Sequence, residues 1–371
     1  MTTRMPRADP RTQPLERRSW IVPPYLLARI AVQPQLEHAA MAARRTLDRD
    51  APFREFRCSD ERPPNAPHPG VLTDVHPADH PAGTPFRRIS DAGGVEVLPG
   101  RLVRAEGDPD TGDEAVTEAY EGLGDMFGFL FEAYGRDSID GAGLPLDATV
   151  HYGRQYDNAF WDGERMVFGD GDGEVFQGFT NSLSVIGHEL AHGVTERTAN
   201  LRYQGQSGAL NEHVSDVFGA LLEQYVRRQD AHEASWLIGE GLFTDQVEGV
   251  AIRSMIAPGT AYDDDVLGRD PQPAHLRDYI ETTEDNGGVH LNSGIPNRAF
   301  VVAALRLGGP AWERAGRIWY DTLTGDLIDR DTDFAGFAAA TIDTARARYG
   351  DTSAEALAVA EGWAEVGVIA A

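Results

Sequence analysis

Apolar positions between about residues 89 and 180 alternate in short bursts separated by turn residues, whereas from about 182 onward they return every three or four residues. The first pattern predicts strands and turns in "GVEVLPGRLVRAEG", "ATVHYG" and "RMVFGDGDGEVFQGF", around one helical segment, "EAVTEAYEGLGDMFGFLFEAYG". The second predicts helices in "ALNEHVSDVFGALLEQYVRR", "NRAFVVAALRLG", "AWERAGRIWYDTLTGDL" and "DFAGFAAATIDTARARYG". Strand-rich sequence followed by helix-rich sequence implies an α+β fold with two lobes, and the cleft between lobes is a usual place for a site. Ahead of both, Leu26, Leu27, Ile30, Ala31, Leu36, Ala39, Ala40, Ala43 and Leu47 recur at helical spacing. A helical module of that size does not fold alone, so it must dock on the rest or stay loose. Residues 59 to 88 are dense in Pro, His and Asp without periodicity and read as an exposed linker. No internal repeat is apparent.

A chain of 371 residues that is 41% hydrophobic has the material for a multi-domain globular core. Its net charge of -26 repels phosphate backbones and anionic membrane surfaces, which argues against nucleic-acid and membrane partners. All 33 basic side chains are Arg. The absence of Lys removes Schiff-base chemistry and the P-loop lysine. Cys58 is the only cysteine, so disulfides within the chain and Cys-based zinc clusters are excluded, and its linker setting reads as a bland thiol. No signal-peptide h-region and no run of membrane-spanning length appears, so the expected product is cytoplasmic as synthesised, with secretion by a non-classical route left open.

Chemistry concentrates in "SVIGHELAHGVTE", at the junction of the two patterns. On a helix, His188 and His192 stand one turn apart on one side, so both imidazoles can face one ion. Glu189 is about 100° further round, close enough to reach a water on that ion without displacing a ligand. Val185, Ile186, Leu190, Ala191 and Val194 make the helix apolar on most sides, and burying two imidazoles and a carboxylate there without a partner is costly. The competing reading is a buried helix that contains the pattern by chance. A third ligand separates the two, and "SGALNEHVSDVFGALLEQY" offers one. Val214, Val217, Phe218, Leu221, Leu222 and Tyr225 form the apolar face of that helix, with Glu212 and Asp216 one turn apart. Glu212 completes a His, His, Glu zinc set, and Asp216 can accept the remaining N–H of a liganding imidazole. Three protein ligands leave a position for water, the catalytic arrangement.

These motifs, with "YDNAFWDGERMVFGDGDG" and "EDNGGVHLNSGIPNRAF" in the same order, resemble the thermolysin family of zinc metallopeptidases from about residue 89 to the end. "IVPPYLLARI" resembles the short propeptide of the protealysin-like subgroup. The resemblance implies a two-lobed zincin with a propeptide-like segment over 1–50, a Pro-rich linker over 51–88, a β-rich catalytic lobe over 89–202 and an α-helical lobe over 203–371. It assigns the general base to Glu189, oxyanion donors to Tyr203 and His290, and the orientation of His290 to Asp285. Arg253 is expected to bond the substrate backbone, and Asn158, Ala159 and Trp161 to form the edge strand to which an extended peptide adds. Phe176, Phe179, Val185, Ile238, Leu242 and Ile252 match the main specificity pocket. All are apolar, which implies cleavage on the amino side of bulky hydrophobic residues.

The chain departs from the family where calcium is expected. Glu223 and Glu240 match two calcium ligands, but Ser184, Ser235 and Leu237 replace acids, and Val250 replaces a ligand of another site. Two carboxylates are few for an ion that takes six to eight oxygens, so calcium dependence is expected to be weak. The run Gly169 to Gly173 reads as a tight turn and not as an EF-hand loop. Expected partners are peptide or protein substrates, the chain's own N-terminal segment held over the cleft as in a zymogen, and a proteinaceous inhibitor. Two other readings stand beside this one: a catalytically silent peptide-binding homologue, and an aminopeptidase, which would need an acidic anchor for the substrate's amino terminus.

Overall fold

The computed structural model describes residues 19–57 and 81–370. Cys58, most of the linker and the first eighteen residues lie outside the described residues. The chain begins with β1 (Ser19–Trp20), α1 (Pro24–Ile30) and α2 (Glu37–Arg57). Proline at the first position of α1 has the backbone angle a helix start requires and no N–H to leave unsatisfied. The first lobe then contains β2 (Arg87–Asp91), β3 (Arg101–Ala105), α3 (Glu114–Tyr134), β4 (Leu146–Val150), β5 (Ala159–Trp161), β6 (Met166–Phe168) and α4 (Leu183–Glu196). Its six-stranded sheet has the order β1-β5-β6-β4-β2-β3. The pairs β2–β4 and β4–β6 are parallel; the other neighbours are antiparallel.

Helix α3 packs against β2 and β4. Asp113 caps it by accepting the Val116 N–H at 3.1 Å, and Gly135 ends it in the left-handed conformation. A cap of this kind contributes about 1 kcal/mol. His151 ties that cap to the turn after β6, bonding Asp170 at 2.8 Å and Asp113 at 3.1 Å. Asp170 first, and Asp113 with it, raise the His151 pKa to about 9 against partial burial. A raised imidazole pKa contributes stability that is complete below the unfolded value, roughly 6.5, and is lost as pH rises through the folded value. Melting temperature is therefore expected to decline across that window, by roughly 1–3 °C beyond the background slope. His151→Gln should flatten the decline, and an identical pH profile in both proteins would rule the linkage out.

The second lobe contains α5 (Gly205–Arg227), the hairpin-like pairs β7 (Leu237–Ile238) with β8 (Arg253–Ser254) and β9 (Asp263–Asp264) with β10 (Gly268–Arg269), then α6 (Asp285–Asn292), α7 (Gly294–Leu307), α8 (Ala315–Thr324), α9 (Phe334–Tyr349) and α10 (Ala354–Glu365). Asp333 and Ser353 cap α9 and α10 through their side chains. One apolar core runs through both lobes, and Ile21, Leu26, Leu27 and Ile30 of the N-terminal segment belong to it. That segment is therefore docked. Trp20 enters a second cluster with Tyr152, Tyr156, Phe160 and Val167.

Both ends of the stretch read as a linker over 51–88 are regular structure. Helix α2 continues past Pro52 to Arg57, although a proline in a helix forfeits a backbone donor. Strand β2 begins at Arg87, whose guanidinium lies 3.7 Å from the centre of the Tyr120 ring and pairs with Glu106. Stacking and an ion pair, rather than apolar alternation, place this strand. Conversely "GVEVLPG" is not a strand: only Arg101–Ala105 pairs, and Val95 and Val97 are exposed.

Candidate active site

Helices α4 and α5 cross at glycines. A Cβ on Gly187 would lie 2.9 Å from the Gly219 Cα, and one on Gly219 would lie 2.4 Å from the Ser184 carbonyl oxygen. Only this approach lets a side chain from α5 reach the imidazoles of α4. His188 Nε2 and His192 Nε2 are 3.1 Å apart. Glu212 Oε2 is 3.4 Å from the first, and Glu212 Oε1 is 3.5 Å from the second. All three residues are buried, and they are the one cluster of this kind among the described residues.

These separations test the fit to zinc. Ligands held roughly 2.0–2.1 Å from one ion in a tetrahedron stand about 3.3 Å from each other. The imidazole pair at 3.1 Å and the nearest Glu212 oxygen to each imidazole, at 3.4 and 3.5 Å, lie close to that value. The outward nitrogens are also spoken for: His188 Nδ1 donates to Asp216 Oδ1 at 2.8 Å, and His192 Nδ1 to Asn211 Oδ1 at 2.7 Å. Asn211 Nδ2 donates to the Leu201 carbonyl at 3.0 Å, which fixes the orientation of its amide. Both Nε2 atoms are consequently the ring positions left to face Glu212 and an ion. Burial works against charge on His188, but Asp216 and Glu212 overcome it and lift its pKa to about 9, so the cluster favours a cation at its centre. The residues fit a divalent zinc ion.

Glu189 lies on α4 beside the pair, with Oε2 held by the Trp161 backbone N–H at 3.0 Å. Tyr203, immediately before α5, donates its hydroxyl proton to Glu212 Oε1 and stands 3.3 Å from His290 Nε2. Residues 285 to 288 all have positive φ, from 50° to 83°, so the chain turns tightly before His290. Gly287 and Gly288 carry the largest of these angles, where a side chain would be strained. The turn lets Asp285 bond His290 twice, at the backbone N–H (2.9 Å) and at Nδ1 (2.6 Å). Burial disfavours the imidazolium, and Asp285 and Glu212 reverse this and raise the His290 pKa.

Arg253, at the start of β8, is fully buried and grips Asp216 through Nε and a terminal nitrogen, at 3.0 and 2.8 Å. Burial opposes the Asp216 charge, but Arg253 outweighs it and holds the carboxyl far below its ordinary range. Phe176, Phe179, Val185, Ile238, Leu242 and Ile252 are all buried in the main core, with Phe176 and Phe179 rings 5.6 Å apart.

The cleft is filled by the chain's own N-terminal segment. Ser19 pairs with Trp161 and Trp20 with Phe160 in antiparallel register. The Ile21 N–H donates to the Ala159 carbonyl at 3.3 Å, and the Val22 N–H to Asn158 Oδ1 at 3.0 Å. His290 Nε2 donates to the Trp20 carbonyl at 3.0 Å, and Arg253 to the Ile21 carbonyl at 3.0 Å. Every side chain or strand assigned to the substrate backbone thus bonds or pairs with residues 19–22. A cavity of about 570 Å³ remains between this segment and the second lobe, lined by Trp20, Tyr25, Leu47, Tyr203, Glu284 and His290 among others.

Glu223 and Glu240 both approach one nitrogen of Arg227, at 2.6 and 3.9 Å. Ser235 Oγ donates to Glu240, and Ser184 Oγ accepts the Gly239 N–H. Leu237 lies in β7, and Val250 is exposed. In the turn after β6, Asp172 Oδ1 accepts three successive backbone N–H groups, from Glu174, Val175 and Phe176.

Three roles escape a motif search: Asn211 behind His192, and Asn297 and His213 behind Asp216. Their signal in sequence is polar residues on helices otherwise buried on every side.

A two-lobed fold with an H-E-x-x-H helix and a distal glutamate defines a zinc-dependent metallopeptidase site. Residues 101–196 match the model of the thermolysin metallopeptidase catalytic domain, and residues 199–368 that of its alpha-helical domain. The chain belongs to the thermolysin metallopeptidase family. It is 49% identical over 348 residues to an extracellular metalloprotease of Pectobacterium carotovorum subsp. carotovorum, covering 94% of this chain and 96% of that protein. Protease PrtS of a Photorhabdus strain is 53% identical over 287 residues, 77% of each chain. Among solved structures, the precursor of protealysin, a metalloproteinase from Serratia proteamaculans, matches at 49% identity and a TM-score of 0.84. The match covers 95% of this chain and 100% of that one.

Proposed function

We propose that the protein is a zinc-dependent neutral endopeptidase made as a latent precursor, which cleaves on the amino side of bulky hydrophobic residues. The observation that carries the reaction is the convergence of His188, His192 and Glu212 with Glu189 beside them. Zinc, when bound, supplies Lewis acidity toward the scissile carbonyl and lowers the pKa of water toward neutrality. Glu189 takes a proton from the attacking water and delivers it to the leaving nitrogen. His290, held as an imidazolium by Asp285, and the Tyr203 hydroxyl donate hydrogen bonds to the oxygen that gains charge. Arg253, Asn158 and β5 align the peptide through its backbone.

The path of residues 19–22 supports both the latency and the specificity. The Trp20 carbonyl bonds His290, so the Trp20–Ile21 peptide lies where a reacting bond would, and Ile21 takes the position on its carboxyl side. Ile21 is fully buried in the same apolar core as the six residues assigned to the specificity pocket. A blocked peptide series varied at that position is expected to be cut before Leu, Phe or Ile at least tenfold faster than before Asp or Lys. Activity should vanish with a zinc chelator and return with zinc. Cleavage that is fastest before Asp or Lys would refute the specificity, and activity that survives zinc removal would refute the reaction. Cutting of blocked peptides also disposes of an aminopeptidase, and any zinc-dependent turnover disposes of a silent homologue.

Calcium has a weaker claim. Arg227 already supplies a positive charge to Glu223 and Glu240. A chelator selective for calcium over zinc is expected to shift the melting temperature by less than about 2 °C. A drop several times larger would restore a structural calcium ion.

A further inference from the structure

Asp216 does not end the line of contacts behind His188. Its Oδ2 accepts Asn297 Nδ2 at 2.8 Å, Asn297 Oδ1 lies 2.8 Å from His213 Nδ1, and Trp319 Nε1 lies 2.7 Å from His213 Nε2. All five residues in the line are fully buried, and they come from α4, α5, α7 and α8.

Each link allows one direction of donation. An indole nitrogen only donates, so His213 Nε2 must offer a lone pair and its proton must sit on Nδ1. That proton goes to the Asn297 oxygen. The Asn297 amide then has its NH2 toward Asp216, which accepts from it with one oxygen and accepts the His188 Nδ1–H with the other. What remains on His188 is Nε2, turned toward His192 and Glu212. Reversing any link would set two donors or two acceptors face to face in a buried site.

We propose that Trp319, His213 and Asn297 are positioning residues that orient the Asp216 carboxylate, and through it the metal ligand His188, from the core of the second lobe. The counterpart for His192 is shorter, since Asn211 ends on a backbone carbonyl. The His188 line ends on a side chain, and that side chain is well immobilised. The Trp319 ring stacks at 6.2 Å on Trp363 and meets Phe300 edge-on at 4.9 Å. Asn297 has a second duty. Arg253 competes for both Asp216 oxygens, and the amide holds the carboxylate in the plane that keeps one oxygen on His188.

The inference rests on the zinc reading above, and the test separates the two. Nitrogen-resolved NMR of the imidazoles in the intact protein, with His213 assigned from a His213→Gln spectrum, should show His213 protonated on Nδ1 with a lone pair on Nε2. Equilibrium competition against a zinc chelator should then show weaker zinc binding by about tenfold or more in Asn297→Asp, which is nearly isosteric but sets an acceptor against Asp216. Trp319→Phe keeps the ring packing and removes the donor. It should give a mixed His213 tautomer and a smaller loss of affinity, of about threefold. A wild-type His213 protonated on Nε2, or unchanged zinc affinity in Asn297→Asp, would overturn the relay while leaving the zinc site intact. Wild-type protein that takes up no zinc would instead overturn the metal reading and the relay with it.

Discussion

Glu189→Gln is expected to lower kcat of the processed enzyme by about a thousandfold or more while leaving its zinc content unchanged. The substitution keeps the shape of the side chain, and the amide oxygen can still accept the Trp161 N–H that now holds Oε2. What it removes is the capacity to take a proton from water and return it to the leaving nitrogen. Glu189 is not one of the three converging ligands, so metal binding should survive. The measurement is kcat beside metal analysis and a melting curve for the same preparation. A variant that keeps its zinc and turns over within tenfold of wild type would remove Glu189 from the chemistry.

Ile21→Asp should release activity from the uncut precursor, raising the initial rate on a small blocked peptide by tenfold or more. Ile21 is fully buried in the main core, and a carboxylate placed there must be desolvated or expelled. Expulsion of that side chain would break the adjoining bonds, from the Ile21 N–H to Ala159, from Arg253 to the Ile21 carbonyl and from Val22 to Asn158. Arg253 and His290 would then be available to substrate. The rate must be read before cleavage occurs, with mass spectrometry confirming an intact chain. If the intact variant is as slow as the intact wild type while both processed forms are active, the strand is not what imposes latency.

The parts of this fold that a reader can find in the sequence are those whose period persists for several turns. Helices α3 and α5 bury long apolar faces, and their spacing alone locates them. The strands β1, β7, β8, β9 and β10 have two residues each, too short to display any alternation. Strand β1 matters most to function, yet nothing local marks Ser19–Trp20 as a strand; it is one because β5 offers an edge. Likewise the left-handed run before His290 is visible only as "DNGG", which announces a turn; that Asp285 bonds the histidine five residues on is legible only through the family resemblance. Spacing could nominate Glu212, since helical geometry fixes where it points relative to Asp216. It could not nominate Asn297, which reaches Asp216 from 81 positions away.

The N-terminal segment holds both walls of the groove. Arg29 of α1 bonds the Leu267 and Arg269 carbonyls in the second lobe, while in the first lobe His38 of α2 bonds the Asp172 carbonyl and the Ala39 N–H bonds Glu174. None of these anchors depends on the chain being continuous between residues 57 and 81. Severing it there changes connectivity and leaves every anchor in place, so under the proposed latency a nicked molecule would stay silent until its fragment departs. Onset of proteolysis is then paced by an off-rate, hastened by dilution and slowed by added free fragment, and the act of cutting starts that clock without stopping it.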